Sequence, residues 1–291
     1  MFKLAIFSDE VSQNVKEVAA FCRKWKLEAV EIRTLLNKGP HNFSKEEIKL
    51  IKTVLKDNGI KVCSIASPFF KCTIDNKKEY EQHLDILKNC IDLAGATGAK
   101  IIRGFTFWRT GIAEENLDRV AEYFPEPVKL MKKAKMVLGI ENEPATFVGC
   151  ARTQKIFLEK IHSPAVKAIW DPGNEVMDAD GIAPFPNGYR LVKDEIIHIH
   201  LKDALSMGYE GKAECVPMGE GQVNYWGQFK ALIEDGYSGY LSLETHWRIN
   251  KAEIKKMSIE KPGGAGWSFG AKESSEYCMR NIMKMLGSLK K

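Results

Sequence analysis

The sequence has no CxxC pair, no long apolar run and no unbroken stretch of basic residues. Its seven cysteines (Cys22, Cys63, Cys72, Cys90, Cys150, Cys215 and Cys278) are an odd number, which argues against a disulfide framework or a thiolate zinc site and leaves buried thiols in a reducing compartment. No window is apolar enough for a membrane span, and the run in "MFKLAIFSDE" is shorter than the apolar core of a signal peptide. A cytoplasmic protein with no membrane partner is therefore expected. Net charge is only +5, and the lysines of "KLMKKAKM" and "KAEIKKMSIEK" read as solvated helix faces, so no nucleic-acid partner is expected. A glycine-rich phosphate loop is also missing. The first strand-like run leads into "SDEVSQN", and "GGAG" at 263–266 follows no strand-like run.

The 291 residues that remain, 44% hydrophobic and 28% charged, have the balance of a soluble globular protein able to bury a substantial core. Strand-like runs fall at 3–7, 29–33, 61–67, 100–105, 137–142, 166–171, 196–201 and 239–244. Segments of helical period lie between them, among them "NVKEVAAFCRKWK" and "SKEEIKLIKTVLKDNG". Ser44 followed by Glu47 has capping-box spacing, and Gly59 and Gly98 stand where a helix hands over to a strand. Eight units of about 36 residues match a (β/α)8 TIM barrel, an α/β fold of about 250 residues, here one domain over 1–291. Irregular stretches at 172–188, 203–224 and 261–270 follow strands six, seven and eight, on the side where barrels carry their binding loops.

Alternation in "IIHIHLKD" sends His198, His200 and Lys202 inward, climbing toward the carboxyl mouth, while Ile197, Ile199 and Leu201 face the helices. His198 reads as a satisfied core histidine. His200 differs, because the inward phase of neighbouring strands ends in Glu141 ("GIENEP"), Asp171 ("IWDPGN") and Glu244 ("LSLETH"). Three carboxylates at one height repel unless a cation sits among them, and three oxygen donors with one imidazole suit a hard dication. One such ion is expected, Mn2+ first, with Mg2+, Co2+ or Zn2+ as alternatives. The competing reading is of rim carboxylates paired with Arg33, Arg103 or Lys202.

The motifs "IENEP", "WDPGN", "HIHLKD", "VPMGEGQVNYWGQFKALIEDGYSGYLSLETH" and "IFSDEVSQN" with "VEIR" resemble the xylose isomerase-like TIM barrels, the group of sugar phosphate isomerases and epimerases. The resemblance covers nearly the whole chain. It implies that Glu141, Asp171, His200 and Glu244 are metal ligands, that Glu141 and Glu244 are also the acid–base pair, and that Lys202 lies near a small carbohydrate substrate. Asn174, which stands where many members have histidine, is a substrate-binding candidate. The family's trinuclear nucleases need extra histidines where this chain reads "SPFFK", "FTFWR", "DPGN" and "AECVP", so that activity is not implied. Members are often homo-oligomers, though no stretch here marks a self-association surface.

The chemistry so implied is removal of a proton beside a carbonyl that chelates the metal, giving a cis-enediolate, and its return by the second glutamate. Either glutamate could be the base. Elimination from the same enediolate would make the protein a dehydratase or deglycosidase, and a non-catalytic sugar-binding barrel is the third reading. Arg103, Trp108 and His246 are further substrate-binding candidates, with Lys71, Phe69, Phe70 and Phe105 nearby. Glu31 and Arg33 are expected to form an internal ion pair with Arg103. His41, His83 and His162 are expected to do nothing chemical.

Overall fold

The computed structural model describes residues 1–207, 213–250, 252 and 265–289, and in it every strand-like run forms a strand. They are β1 (Lys3–Phe7), β2 (Ala29–Ile32), β3 (Lys61–Phe69), β4 (Ile101–Gly104), β5 (Val137–Glu141), β6 (Val166–Trp170) and β7 (Ile196–Leu201). A short hairpin, β8 (Asp203–Ser206) and β9 (Ala213–Val216), then precedes the last barrel strand, β10 (Tyr240–Leu243). Each barrel strand lies parallel to its neighbours, and β1 closes against β10. The result is a closed eight-stranded (β/α)8 TIM barrel in a single domain.

The surrounding helices are α1 (Val15–Trp25), α2 (Lys45–Asp57), α3 (Lys77–Thr97), α4 (Ala113–Ala121), α5 (Pro125–Ala134), α6 (Ala151–Ile161), α7 (Pro172–Met177), α8 (Tyr189–Val192), α9 (Tyr225–Glu234) and α10 (Ala271–Ser288). Ser44 starts α2 as its spacing suggests. Its hydroxyl accepts the Glu47 N–H at 3.2 Å, and Glu47 Oε2 accepts the Ser44 N–H at 2.7 Å. Gly59 and Gly98 take φ of 69° and 85° after α2 and α3, in the left-handed region that favours glycine. Among the described residues no helix is long and apolar enough to cross a membrane.

Burial divides by strand face. Ile32, Ile102, Leu138, Ile199, Leu201 and Leu243 join the helices in one large apolar cluster outside the barrel. Inside, Ala5, Ala29 and Cys63 form a small apolar plug at the amino-terminal end. Above that plug the interior is polar, holding Glu31, His198, His200 and Ser242, all fully buried. A barrel interior is ordinarily filled by branched aliphatic side chains. Here its upper layers are given over to charge.

The loops correct the sequence reading. The stretch 203–224 is not wholly irregular: β8 and β9 pair antiparallel within it. Asp203 makes the return possible by accepting the N–H groups of Gly219, Gly221 and Val223 at 2.9, 3.0 and 3.2 Å. The stretch 172–188 opens with α7, whose Gly173 lies so close to β7 that a Cβ would come 2.5 Å from the Lys202 carbonyl oxygen. Of 261–270, residues 265–268 form a 3-10 turn, while 261–264 and nearly all of "KAEIKKMSIEK" lie outside the described residues.

Candidate metal centre at the carboxyl mouth

Each proposed ligand is placed by backbone that the neighbouring strands fix. Glu141 ends β5, and His200 is the fifth residue of β7. Asp171 follows β6 as the N-cap of α7, its Oδ1 accepting the Asn174 N–H at 2.9 Å. Glu244 is one residue past β10, yet its N–H still donates to the Leu201 carbonyl at 3.0 Å, so the ladder carries it to the rim. Asn142 locks two of these strand ends together. Its Nδ2 donates to the Asp171 carbonyl and its Oδ1 accepts the Asp171 N–H, both at 2.8 Å. Tyr225, from "VNYWGQ", clamps the end of β7 by accepting the Lys202 N–H at 3.0 Å and donating to the Lys202 carbonyl at 2.6 Å.

Glu141, Asp171, His200 and Glu244 are all buried, and one potential ligand atom from each lies within 4.8 Å of all the others. The four inward-phase residues therefore converge. The ion pairs of the competing reading are present as well. Arg103 Nη1 lies 3.1 Å from Glu141 Oε2, Lys202 Nζ lies 2.7 Å from both Asp171 Oδ2 and Glu244 Oε2, and Arg33 pairs with Glu244. The two readings are not exclusive.

Charge decides what else the centre needs. Among the described residues, Asp9, Glu10, Glu31, Glu141, Asp171 and Glu244 are buried carboxylates, and the buried cations beside them are Arg33, Arg103, Lys202 and Arg248. With neutral histidines the group is two positive charges short, an expensive imbalance away from water. Without an ion, protons make up the difference. Burial raises Asp171 to about 7, helped by Glu244 and Glu141 and opposed by Lys202. Burial alone would lower His200, but Glu141 and Glu31 raise it to about 10. Burial opposes ionisation of Glu141 too, yet His200 and Arg103 bring it down to about 2. Asp171 Oδ2 accepts no aligned hydrogen bond, and His200 Nε2 makes none. A dication held by the four ligand residues would fit both the charge and the unsatisfied Asp171 Oδ2.

A cavity of about 270 Å3 opens above the centre, lined by Arg33, Arg103, Glu141, Lys202, Glu244 and His246. Arg103, Lys202 and His246 thus stand where their sequence positions put them. Asn174 does not line this cavity. It is a brace, donating from Nδ2 to Glu141 Oε1 at 3.2 Å and to the Asn142 carbonyl at 2.8 Å. Trp108 is 40% exposed and also outside the cavity wall. Phe69 and Phe70 are packing residues, stacked on each other and, through Phe70, on Phe107.

One expectation is overturned. Glu31 does not pair with Arg103; its Oε2 meets His198 Nε2 at 2.7 Å, because alternation turns it to the same interior layer. His41 lines the cavity wall together with the Lys71–Glu143 ion pair, since the loop after β2 folds over the mouth. Sequence reasoning also missed Asp9 and Glu10, which follow β1 in a 3-10 turn and hold Arg33 at 2.8 and 3.0 Å. Two acids directly after a barrel strand were the available signal. Arg248, 3.0 Å from Glu10 Oε2, had none.

The sequence profile described as the xylose isomerase-like TIM barrel matches residues 19–268. The chain belongs to that family. This xylose isomerase-like barrel is 22% identical over 209 residues to L-ribulose-5-phosphate 3-epimerase UlaE of Escherichia coli K12, covering 70% of this chain and 71% of that one. Among solved structures it shares its fold with the IolI protein determined with a bound zinc atom (TM-score 0.75, 15% identity, 99% of both chains). It also shares it with a xylose isomerase-like TIM barrel protein of Mycobacterium smegmatis in complex with magnesium (TM-score 0.68, 18% identity, 98% of both chains). Its curated relatives are sugar epimerases, and an enzyme of that general kind is what the family supports.

Proposed function

We propose that this protein is a divalent-metal-dependent isomerase or epimerase of a keto-sugar or sugar phosphate, with Glu141 and Glu244 as the acid–base pair. The observation that carries the reading is a buried group of four ligand residues, within 4.8 Å of one another, in surroundings short of two positive charges. Glu141, Asp171, His200 and Glu244 would hold the ion, an oxygen-rich set that suits Mn2+ or Mg2+. A dication bound there supplies a Lewis acid that polarises a substrate carbonyl and makes the adjacent C–H acidic. The relatives named for epimerisation and those solved with zinc or magnesium support this direction.

The protein's own part is to hold and move the proton. Glu141 ends β5 and Glu244 directly follows β10, two strands separated around the barrel by β6 and β7, so they approach the cavity from different directions. Arg103 and His200 keep Glu141 ionised. Burial works against ionisation of Glu244, but His246 and Lys202 hold it well below the usual carboxylate range. Either can therefore accept a proton, though as a weak base it does so only from an acidified carbon. Return to the opposite face of the same carbon epimerises the sugar, and return to the neighbouring carbon of the enediolate isomerises it. Lys202, between Asp171 and Glu244, places an ammonium group at the cavity floor. The cavity, about 270 Å3, falls just under the range of about 300–1,000 Å3 that takes drug-sized ligands, and so suits one small sugar.

The test is a panel of ketoses and ketose phosphates incubated with Mn2+-loaded protein in D2O and followed by NMR. Solvent deuterium entering a carbon of a product of unchanged formula is the expected result, lost on chelation and restored by Mn2+. Loss of water or of an aglycone would make the protein a lyase. Absence of exchange across the panel in the loaded protein would end the reading.

A further inference from the structure

The His200 ring presents its two nitrogens to two different sets of carboxylates. Nδ1 faces the proposed metal cage, 3.0 Å from Glu141 Oε1 and 3.9 Å from Asp171 Oδ2. Nε2 points back into the barrel, 3.5 Å from Glu31 Oε2. A neutral imidazole ligates through the nitrogen that lacks the proton, so Nδ1 can serve the cage only when the proton resides on Nε2. The group behind Nε2 therefore matters.

That group is Glu31, in β2 and fully buried. Its contacts within ion-pair range are both histidines of β7 rather than an arginine or lysine. Oε2 lies 2.7 Å from His198 Nε2, which in turn lies 3.0 Å from Ser242 Oγ. His200 Nε2 is buried without an aligned hydrogen bond, so the Glu31 carboxylate, with Oε2 at 3.5 Å, is the acceptor nearest to hand for a proton there. Phe7 packs edge-on against the His200 ring, with centroids 4.9 Å apart, and limits its rotation.

We propose that Glu31 is a positioning residue for the cage: it keeps the His200 proton on Nε2 and so aims the Nδ1 lone pair at the ion. The inference rests on the reading of Glu141, Asp171, His200 and Glu244 as ligands. Glu31, His198 and His200 are themselves close enough to hold an ion, and the experiment separates that role from positioning.

Mn2+ binding is measured by calorimetry and electron paramagnetic resonance on the full chain and on Glu31→Gln, Glu31→Ala and Ser242→Ala. Positioning gives one ion per chain throughout, about 10–100-fold weaker affinity in Glu31→Ala, partial recovery in Glu31→Gln, whose amide oxygen still accepts the Nε2 proton, and no change in Ser242→Ala. Histidine 15N NMR of the wild type, loaded with a diamagnetic dication, adds a readout that needs no variant: His200 should carry its proton on Nε2. A proton on Nδ1, or wild-type affinity in folded Glu31→Ala, overturns the proposal. So does a stoichiometry of two that falls to one in Glu31→Ala, since Glu31 would then be a ligand. A wild-type chain that takes up no dication overturns the metal reading itself, and the positioning role with it.

Discussion

At the amino-terminal face of the barrel a cavity of about 720 Å3 is walled by Leu55, Ile60, Val62 and Ile101 and ringed by Lys52, Lys56, Lys61 and Lys100. At the carboxyl mouth the cavity is only about 270 Å3, yet six carboxylates and four cations are buried around it. The lysines of the larger cavity are exposed, and a charge in water costs the fold little. Buried charges are costly unless paired, so a dense set of them persists where pairing or a bound ion offsets desolvation. The convergence of opposing charges, rather than cavity size, is what sets the carboxyl mouth apart and makes it the candidate site.

Four changes would sharpen or break this contrast. The largest effect is expected from Glu244→Gln, which removes one member of the proposed acid–base pair and a proposed ligand together. Turnover in the ketose assay should fall by about 10^3-fold or more, and survival of near-normal turnover would remove Glu244 from the chemistry. Arg33→Met comes next, because it strips the cation from Asp9, Glu10 and Glu244 at once. Metal-free protein should lose about 3–5 kcal/mol of unfolding free energy in denaturant titrations, the usual cost of orphaning a buried ionic partner.

The third is a proton count. Without an ion, Asp171 titrates near 7 and His200 near 10, so at pH 6 both carry a proton that a dication must displace. Above pH 7 Asp171 has already ionised, leaving only the His200 proton. Metal affinity should therefore rise with pH, and calorimetry in buffers of different ionisation enthalpy should find release of about two protons at pH 6 and about one at pH 8.5. The smallest effect belongs to the other end of the barrel. Lys56→Glu should change stability by no more than about 0.5 kcal/mol and leave turnover unaltered, and a large loss of activity would mean that the amino-terminal cavity takes part.

The fold was legible because period-two apolar runs alternating with helical segments leave few topologies, and every strand-like run became a barrel strand. The hairpin of β8 and β9 was not, because "AECV" pairs antiparallel with 203–206, and the loop after it is held by three N–H groups donated to Asp203 rather than by a pattern of its own. At the site, Glu141, Asp171, His200 and Glu244 were readable from inward phase. What proximity in sequence did not show is that Asn174 turns back to brace Glu141 and that Trp108 sits outside the cavity wall. The position of His41 in the cavity wall was not legible either, because a loop's path over the mouth carries no periodicity.

The sequence by itself determined the alternation that sends His198, His200 and Lys202 inward, and with it the ring of acids at successive strand ends, since side-chain direction in a strand follows from local backbone geometry. Only the tertiary structure decided the partners. That Arg33 joins Asp9, Glu10 and Glu244, that Glu31 lies behind His200, and that the buried group among the described residues is two positive charges short depend on distances between residues up to 238 positions apart in sequence, which the chain fixes only by closing the barrel.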